Sequence, residues 1–226
     1  MVKIKSIIKL LWSVHWFKTL YFNLHYLPLR SAIKIPILIF RNTKLSQING
    51  EIRINCDLKI GLIKIGPYNV GTLDMKYNRT IWQNNGIVIF NGAANIGSGT
   101  RLSINKNATL TFGDKFCITG GSSIVCSKEI SFGNDCLLSW DILIMDTDFH
   151  NIINTENQTI NPHKAIKRGD RVWIGCRSII LKGVSICNDI VIAAGSKITK
   201  NINTAQCIIG NDNNPKIIKK DIHWAN

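Results

Sequence analysis

The segment Asp146-Thr-Asp-Phe-His150 sets an imidazole two residues after one carboxylate and four after another. Histidine titrates near neutral pH, so it suits removal of a proton from a weak nucleophile such as a hydroxyl. Asp148 or Asp146 could hold the ring in one tautomer, and a backbone carbonyl could do so instead. His150 is therefore the candidate general base. His163 follows Pro162 and reads as a loop residue, while His15, His25 and His223 lie outside the repeats described next and are expected to be structural. A zinc centre needs about three converging histidines. His150 and His163 lack that spacing, and no metal is expected.

These residues need a scaffold, and the scaffold shows as a period of six. Ile174, Ile180, Ile186, Ile192 and Ile198 are evenly spaced, with Ser178, Val184, Ile190 and Ser196 recurring between them. Earlier registers run Phe90, Ile96, Leu102; then Phe112, Ile118, Ile124, Ile130; then Phe132, Leu138, Ile144. A period of six is neither helical nor a hairpin length. It fits a short strand plus a tight turn, with one bulky side chain per repeat pointing inward. Three such faces close a triangular coil, and coils stack at about the 4.8 Å inter-strand spacing. The chain has 40 Ile against 17 Leu, with 24 Asn and 17 Gly to supply turns, which argues against an all-α fold. The expectation is an all-β parallel β-helix over 51–204, a separate N-terminal segment over 1–50 and a C-terminal tail over 205–226. The register breaks over Asp146–Ala165, a polar excursion that carries His150.

Charge is unevenly placed. The net charge is +14, and residues 1–50 hold eight Lys or Arg and no Asp or Glu. A second basic region spans 164–200. Basic patches attract phosphates of any origin, but no nucleic-acid module is recognisable, and no nucleic-acid partner is expected. Ile4, Ile7, Ile8, Leu11 and Val14 share one helical face, and Trp12 and Trp16 pair four residues apart. Residues 1–30 read either as a basic amphipathic segment resting on an anionic membrane face or as a cap helix packed over the coils. Seven cysteines without a CxxC pair point to reduced thiols and a cytoplasmic setting, peripheral to a membrane on the first of these readings.

The segments Gly169-Asp-Arg-Val-Trp-Ile-Gly175, Leu181-Lys-Gly-Val184, Ala193-Ala-Gly-Ser196 and Thr199-Lys200 resemble the C-terminal signature of the hexapeptide-repeat acyltransferases. Gly210-Asn-Asp-Asn-Asn-Pro215 followed by Lys216-Ile-Ile-Lys219 is similar to the family's closing segment. Ser139 to His150 looks most like the sugar O-acetyltransferases of bacterial surface-polysaccharide pathways. The resemblance implies a left-handed β-helix, acetyl-CoA as co-substrate, a sugar or glycan acceptor, direct transfer in a ternary complex and a homotrimer with active sites between subunits. It assigns Trp173, Cys176, Ala194, Thr199, Lys200 and Lys219 to the coenzyme, with the Cys176 N–H as oxyanion donor. Trp140 and Asp141 are expected to hold the sugar by stacking and hydrogen bonding. Transfer to an amine of a nucleotide-linked sugar, and a non-catalytic trimeric scaffold, are the alternatives. Arg168 stands where an inward aliphatic residue is usual, and is expected to alter only local packing.

Overall fold

The computed structural model describes residues 12–67, 70–74, 76–210 and 216–225. Strands three apart in the chain share a sheet. The first sheet has nine strands, the second seven and the third six. The first runs from Ile37–Ile39 through Phe116–Gly120, Leu137–Trp140, Val172–Ile174 and Ile190–Ile192 to Cys207–Gly210, all parallel, and ends on the antiparallel strand Lys216–Lys220. The second runs from Thr43–Gln47 to Lys197–Ile198, and the third from Glu51–Ile54 to Ser185–Ile186. This is a left-handed parallel β-helix of three flat faces. Its coils start at Ile37, ahead of the expected boundary at Glu51, because Ile37 and Ile39 already pair with Ile63 and Ile65. They continue past residue 204, where Ile192 pairs with Ile209.

The sixfold residues line the interior. Ile174, Ile180, Ile192 and Ile198 are fully buried, and Ile186 nearly so. Ile174 pairs with Ile192 and Ile180 with Ile198, one 18-residue coil apart. Earlier coils are longer: Ile118 pairs with Leu138 and Ile124 with Ile144, 20 residues apart, and Ile96 pairs with Ile118, 22 residues apart. The extra residues lie at the corner between the second and third sheets, where the step from Ile124 to Ser131 is seven residues and the equivalent step from Ile180 to Ser185 is five. Phe90, Phe112 and Phe132 stack in consecutive coils at 5.1 and 5.5 Å, and the Arg168 guanidinium caps this column 3.8 Å from the Phe132 ring. The basic 164–200 region therefore sends one of its charges into the core.

The N-terminal helix Trp16–Tyr26 packs on the first sheet by an unexpected side. Its buried residues are Thr19, Phe22 and Asn23. Asn23 Nδ2 donates to the Ile37 carbonyl at 2.7 Å, and the Thr19 hydroxyl accepts from the Ile39 N–H at 3.0 Å. His15 caps the helix by accepting from the Lys18 N–H, and His25 bonds the Ile48 carbonyl, both structural roles as expected. Of the expected face, Ile4, Ile7, Ile8 and Leu11 lie outside the described residues, as do positions 211–215 of the closing segment, while Val14 is buried and bridged to Phe40. The seven cysteines form no disulfide.

Candidate functional site

The register gathers three of the sequence-picked residues at one edge of the prism. Each N–H following Trp140, Cys176 and their equivalents donates to the preceding coil: Asp141 N–H to the Gly120 carbonyl, Arg177 to Trp140, Gly195 to Cys176. Trp140, Cys176 and Ala194 are thus neighbours in successive coils at the corner between the first and second sheets. The residue after each has a left-handed backbone, with φ of 57° at Asp141, 58° at Arg177 and 73° at Gly195. Gly175 makes the close stacking possible, since a Cβ there would lie 2.6 Å from the Ala194 nitrogen.

Trp140, Asp141, Cys176 and Arg177 line a cleft of about 370 Å³, whose far wall is Thr72 and Leu73. These last two come from the connection between Ile63–Ile65 and Thr80–Asn84, a second excursion that the repeat pattern does not announce. Arg177 faces Asp141 at 4.0 Å. The Cys176 N–H makes no hydrogen bond among the described residues. It is therefore an available donor at the cleft edge. Trp173 lies outward on the first sheet, 36% exposed, and its Nε1–H donates to the Ser139 hydroxyl at 3.2 Å. Thr199 and Lys200 follow Lys197–Ile198 on exposed backbone, and Lys219 sits exposed on the terminal strand. Those three are at the end of the prism, with Lys197, Lys216 and Lys220.

His150 occupies a different corner, between the second and third sheets. There the chain leaves Leu143–Met145 for the excursion and re-enters at Ile166–Arg168. The excursion is a tongue, with Ile153 bridged to Thr159 and a turn held by the Asn154 side chain. Phe149 adopts a left-handed backbone (φ 63°), and the His150 N–H closes a three-residue turn on the Asp148 carbonyl at 2.7 Å. Such turns are strained for a residue with a bulky side chain, and strain of this kind persists only where neighbours enforce it. The enforcer is Asn161. Its Nδ2 donates to the Asp148 carboxylate and to the His150 carbonyl, each at 2.9 Å, and its Oδ1 accepts from the Ile152 N–H. Lys182 donates to the same Asp148 oxygen and to the Asn161 carbonyl. These bonds, Lys182 first and Asn161 next, hold the Asp148 carboxyl below the ordinary carboxylate range.

Neither carboxylate bonds the imidazole. Asp146, expected to orient the ring, is fully buried and accepts from the backbone N–H groups of Ser127, Lys128 and Glu129 at 2.7–2.8 Å. It ties the excursion to the preceding coil. Asp148 fixes the backbone beneath His150. The His150 side chain is exposed and has no hydrogen-bond partner among the described residues.

No protein-family model matches the chain. It is 34% identical over 87 residues to a polysialic acid O-acetyltransferase of Neisseria meningitidis, a match spanning 38% of this chain and only 40% of that relative. It is 26% identical over 151 residues to an Escherichia coli K12 protein provisionally assigned to lipopolysaccharide biosynthesis as an O-acetyl transferase, covering 62% of this chain and 76% of the relative. The crystal structure of the polysialic-acid-specific acetyltransferase NeuO superposes with a TM-score of 0.55 at 22% identity, over 82% of this chain and 89% of that one. The chain has the hexapeptide-repeat acetyltransferase fold.

Three residues of this hexapeptide-repeat protein escape sequence reasoning. Asn161 carries no motif, and Lys182 lies in the Leu181-Lys-Gly-Val184 segment without any sign of its partner; the role of each becomes legible only when the tongue's backbone is seen. Trp224, in the tail, packs against Trp173 in a tilted arrangement, ring centroids 6.2 Å apart, and donates from Nε1 to the Arg171 carbonyl at 2.9 Å. A single Trp in a short aperiodic tail gives no signal of where it docks.

Proposed function

We propose that this protein is an acetyl-CoA-dependent O-acetyltransferase acting on a sugar hydroxyl of a bacterial surface polysaccharide, with His150 as general base. The observation that carries the reading is the state of His150. It is an exposed imidazole without a hydrogen-bond partner among the described residues, on a backbone pinned through Asn161, Asp148 and Lys182. The names of the sequence relatives supply the acceptor class.

The groove fits a coenzyme of this kind. Trp173 with Trp224 offers an apolar surface for a pantetheine arm, and Lys197, Lys200, Lys216, Lys219 and Lys220 at the prism end supply cations for phosphates. When bound, acetyl-CoA supplies an activated carbonyl. A ring nitrogen of His150 takes the hydroxyl proton as the sugar oxygen forms its bond to that carbonyl carbon. The Cys176 N–H meets the negative charge developing on the carbonyl oxygen. As the carbon–sulfur bond breaks, the imidazolium returns the proton to the departing thiolate. Trp140 and Asp141 present an aromatic face and a hydrogen-bonding carboxylate to the sugar.

The geometry supports a site shared between chains. Lys182, which anchors the His150 tongue, and Cys176, which edges the cleft, are at opposite ends of one strand of the second sheet. The six-residue step between them, bent at Arg177, spans at most roughly 20 Å. A homotrimer that sets the tongue of one subunit against the cleft of its neighbour would close this gap. The His150→Ala variant tests the base. It is expected to lower turnover by about 100- to 10,000-fold with an unchanged melting temperature, measured with acetyl-CoA and a polysaccharide acceptor. Near-wild-type turnover would overturn the assignment.

A further inference from the structure

The helix Trp16–Tyr26 is amphipathic the wrong way round for a cap. A helix that caps a core turns its apolar face inward. Here Thr19 and Asn23 face the prism beside Phe22, and their polar atoms are satisfied by the Ile37 and Ile39 backbone. The solvent side carries Trp16, Phe17, Leu20, Tyr21 and Leu24, between 42% and 78% exposed. Trp12 just before the helix, and Leu29 and Ile33 just after it, are each at least 67% exposed. Isolated exposed apolar residues are ordinary, but a contiguous aromatic stripe of this extent marks a surface that something covers.

Charge identifies the cover. Arg30, Lys34, Arg41 and Lys44 are exposed around the stripe, and no carboxylate occurs before Glu51. A second copy laid on this face would set the same cations against one another. An anionic bilayer surface satisfies both features, since its headgroups neutralise the cations while Trp, Tyr and Phe enter the interface. Among the described residues no helix is long and apolar enough to cross a membrane, so the contact is one of lying on the surface. We propose that the outer face of Trp16–Tyr26, with Trp12, Leu29 and Ile33, docks this protein onto an anionic lipid surface.

The test uses the full chain, sedimented with vesicles of phosphatidylcholine alone and of equimolar phosphatidylcholine and phosphatidylglycerol. Wild type is expected to pellet with the anionic vesicles and to be released several-fold by raising salt from about 0.1 to about 0.5 M. The triple variant Phe17→Ser, Leu20→Ser, Leu24→Ser alters only exposed side chains. It is expected to lose at least about tenfold in partition while keeping its melting temperature and oligomeric state. The single variant Phe17→Ser gives a smaller loss in the same direction and serves if the triple variant folds poorly. Equal pelleting of wild type and Phe17→Ser would overturn the proposal, as would failure of wild type to pellet with either vesicle. Dissociation of the triple variant into monomers would also overturn it, by placing the stripe between copies.

Discussion

Asp146 and Asp148 lie two positions apart in one motif and hold different things in place. Asp146 holds three half-buried backbone N–H groups at the corner of the preceding coil. Removing its carboxylate leaves all three without this charged acceptor, so Asp146→Ala is expected to cost about 1.5–3 kcal/mol, read as a fall in the urea midpoint. Asp148 is exposed and works locally through Lys182 and Asn161. Its lowered folded-state value means that the anchor is fully present above the ordinary carboxylate range and fails only as pH falls below it. The protection factor of the His150 amide, followed from neutral to acid pH, should therefore hold through pH about 4 and fall below it. Early loss would show that the Lys182 contact does not hold in solution. For Asn161→Ala the expected result is a fall in turnover of about tenfold with little change in melting temperature, because a loosened tongue misplaces His150 without touching the core. In the sequence His150 stands out because the Asp146-Thr-Asp-Phe-His150 segment resembles that of the sugar O-acetyltransferases; a lone histidine in a polar loop would not. The sequence could not tell which carboxylate did what, since that depends on the left-handed bend at Phe149.

At the scale of the coil, the sixfold Ile register was readable because each inward position must be bulky and apolar in every turn. The structure places those residues in contact coil upon coil. Three features left no periodic trace. The extra residues at the corner between the second and third sheets break the sixfold pattern into separate registers. The Gly66–Arg79 connection carries Leu73 to the cleft without a motif. Left-handed corners accept Lys115, Arg171, Arg177 and Gln206 as well as the Asn, Asp and Gly that turn chemistry favours. Arg168 is the exception inside the prism. It is 5% exposed, stacked on Phe132, and its three guanidinium nitrogens find no hydrogen-bond partner among the described residues. Burial pushes its pKa down to about 9, which leaves it a cation at neutral pH. The cation–π contact recovers only part of that desolvation, on the order of 2 kcal/mol. Arg168→Leu, which continues the aromatic column with an aliphatic cap, is expected to raise stability by about 1–4 kcal/mol. A lower urea midpoint in that variant would mean the guanidinium has found partners in solution.

For the whole molecule, the decisive question is whether one chain suffices. Within a chain, the pinned tongue and the open Cys176 N–H occupy neighbouring corners across the width of the second sheet. If each site takes its base from one subunit and its cleft from the next, two inactive variants should rescue one another. His150→Ala lacks the base, and Ala194→Arg blocks the cleft edge beside Cys176 while keeping His150. Unfolded together and refolded as an equal mixture, the two should recover roughly a quarter of wild-type activity, because random assortment around a head-to-tail ring makes that share of interfaces whole. Refolded separately, each stays inactive. Separately refolded samples mixed only afterwards should also stay inactive, unless subunits exchange. Recovery close to zero in the co-refolded mixture, with mixed trimers demonstrated by mass, would place base and cleft of each site in one chain. The tongue would then have to swing across the second sheet to meet its substrate, and the hydrogen bonds through Asn161 and Lys182 would have to break in each turnover.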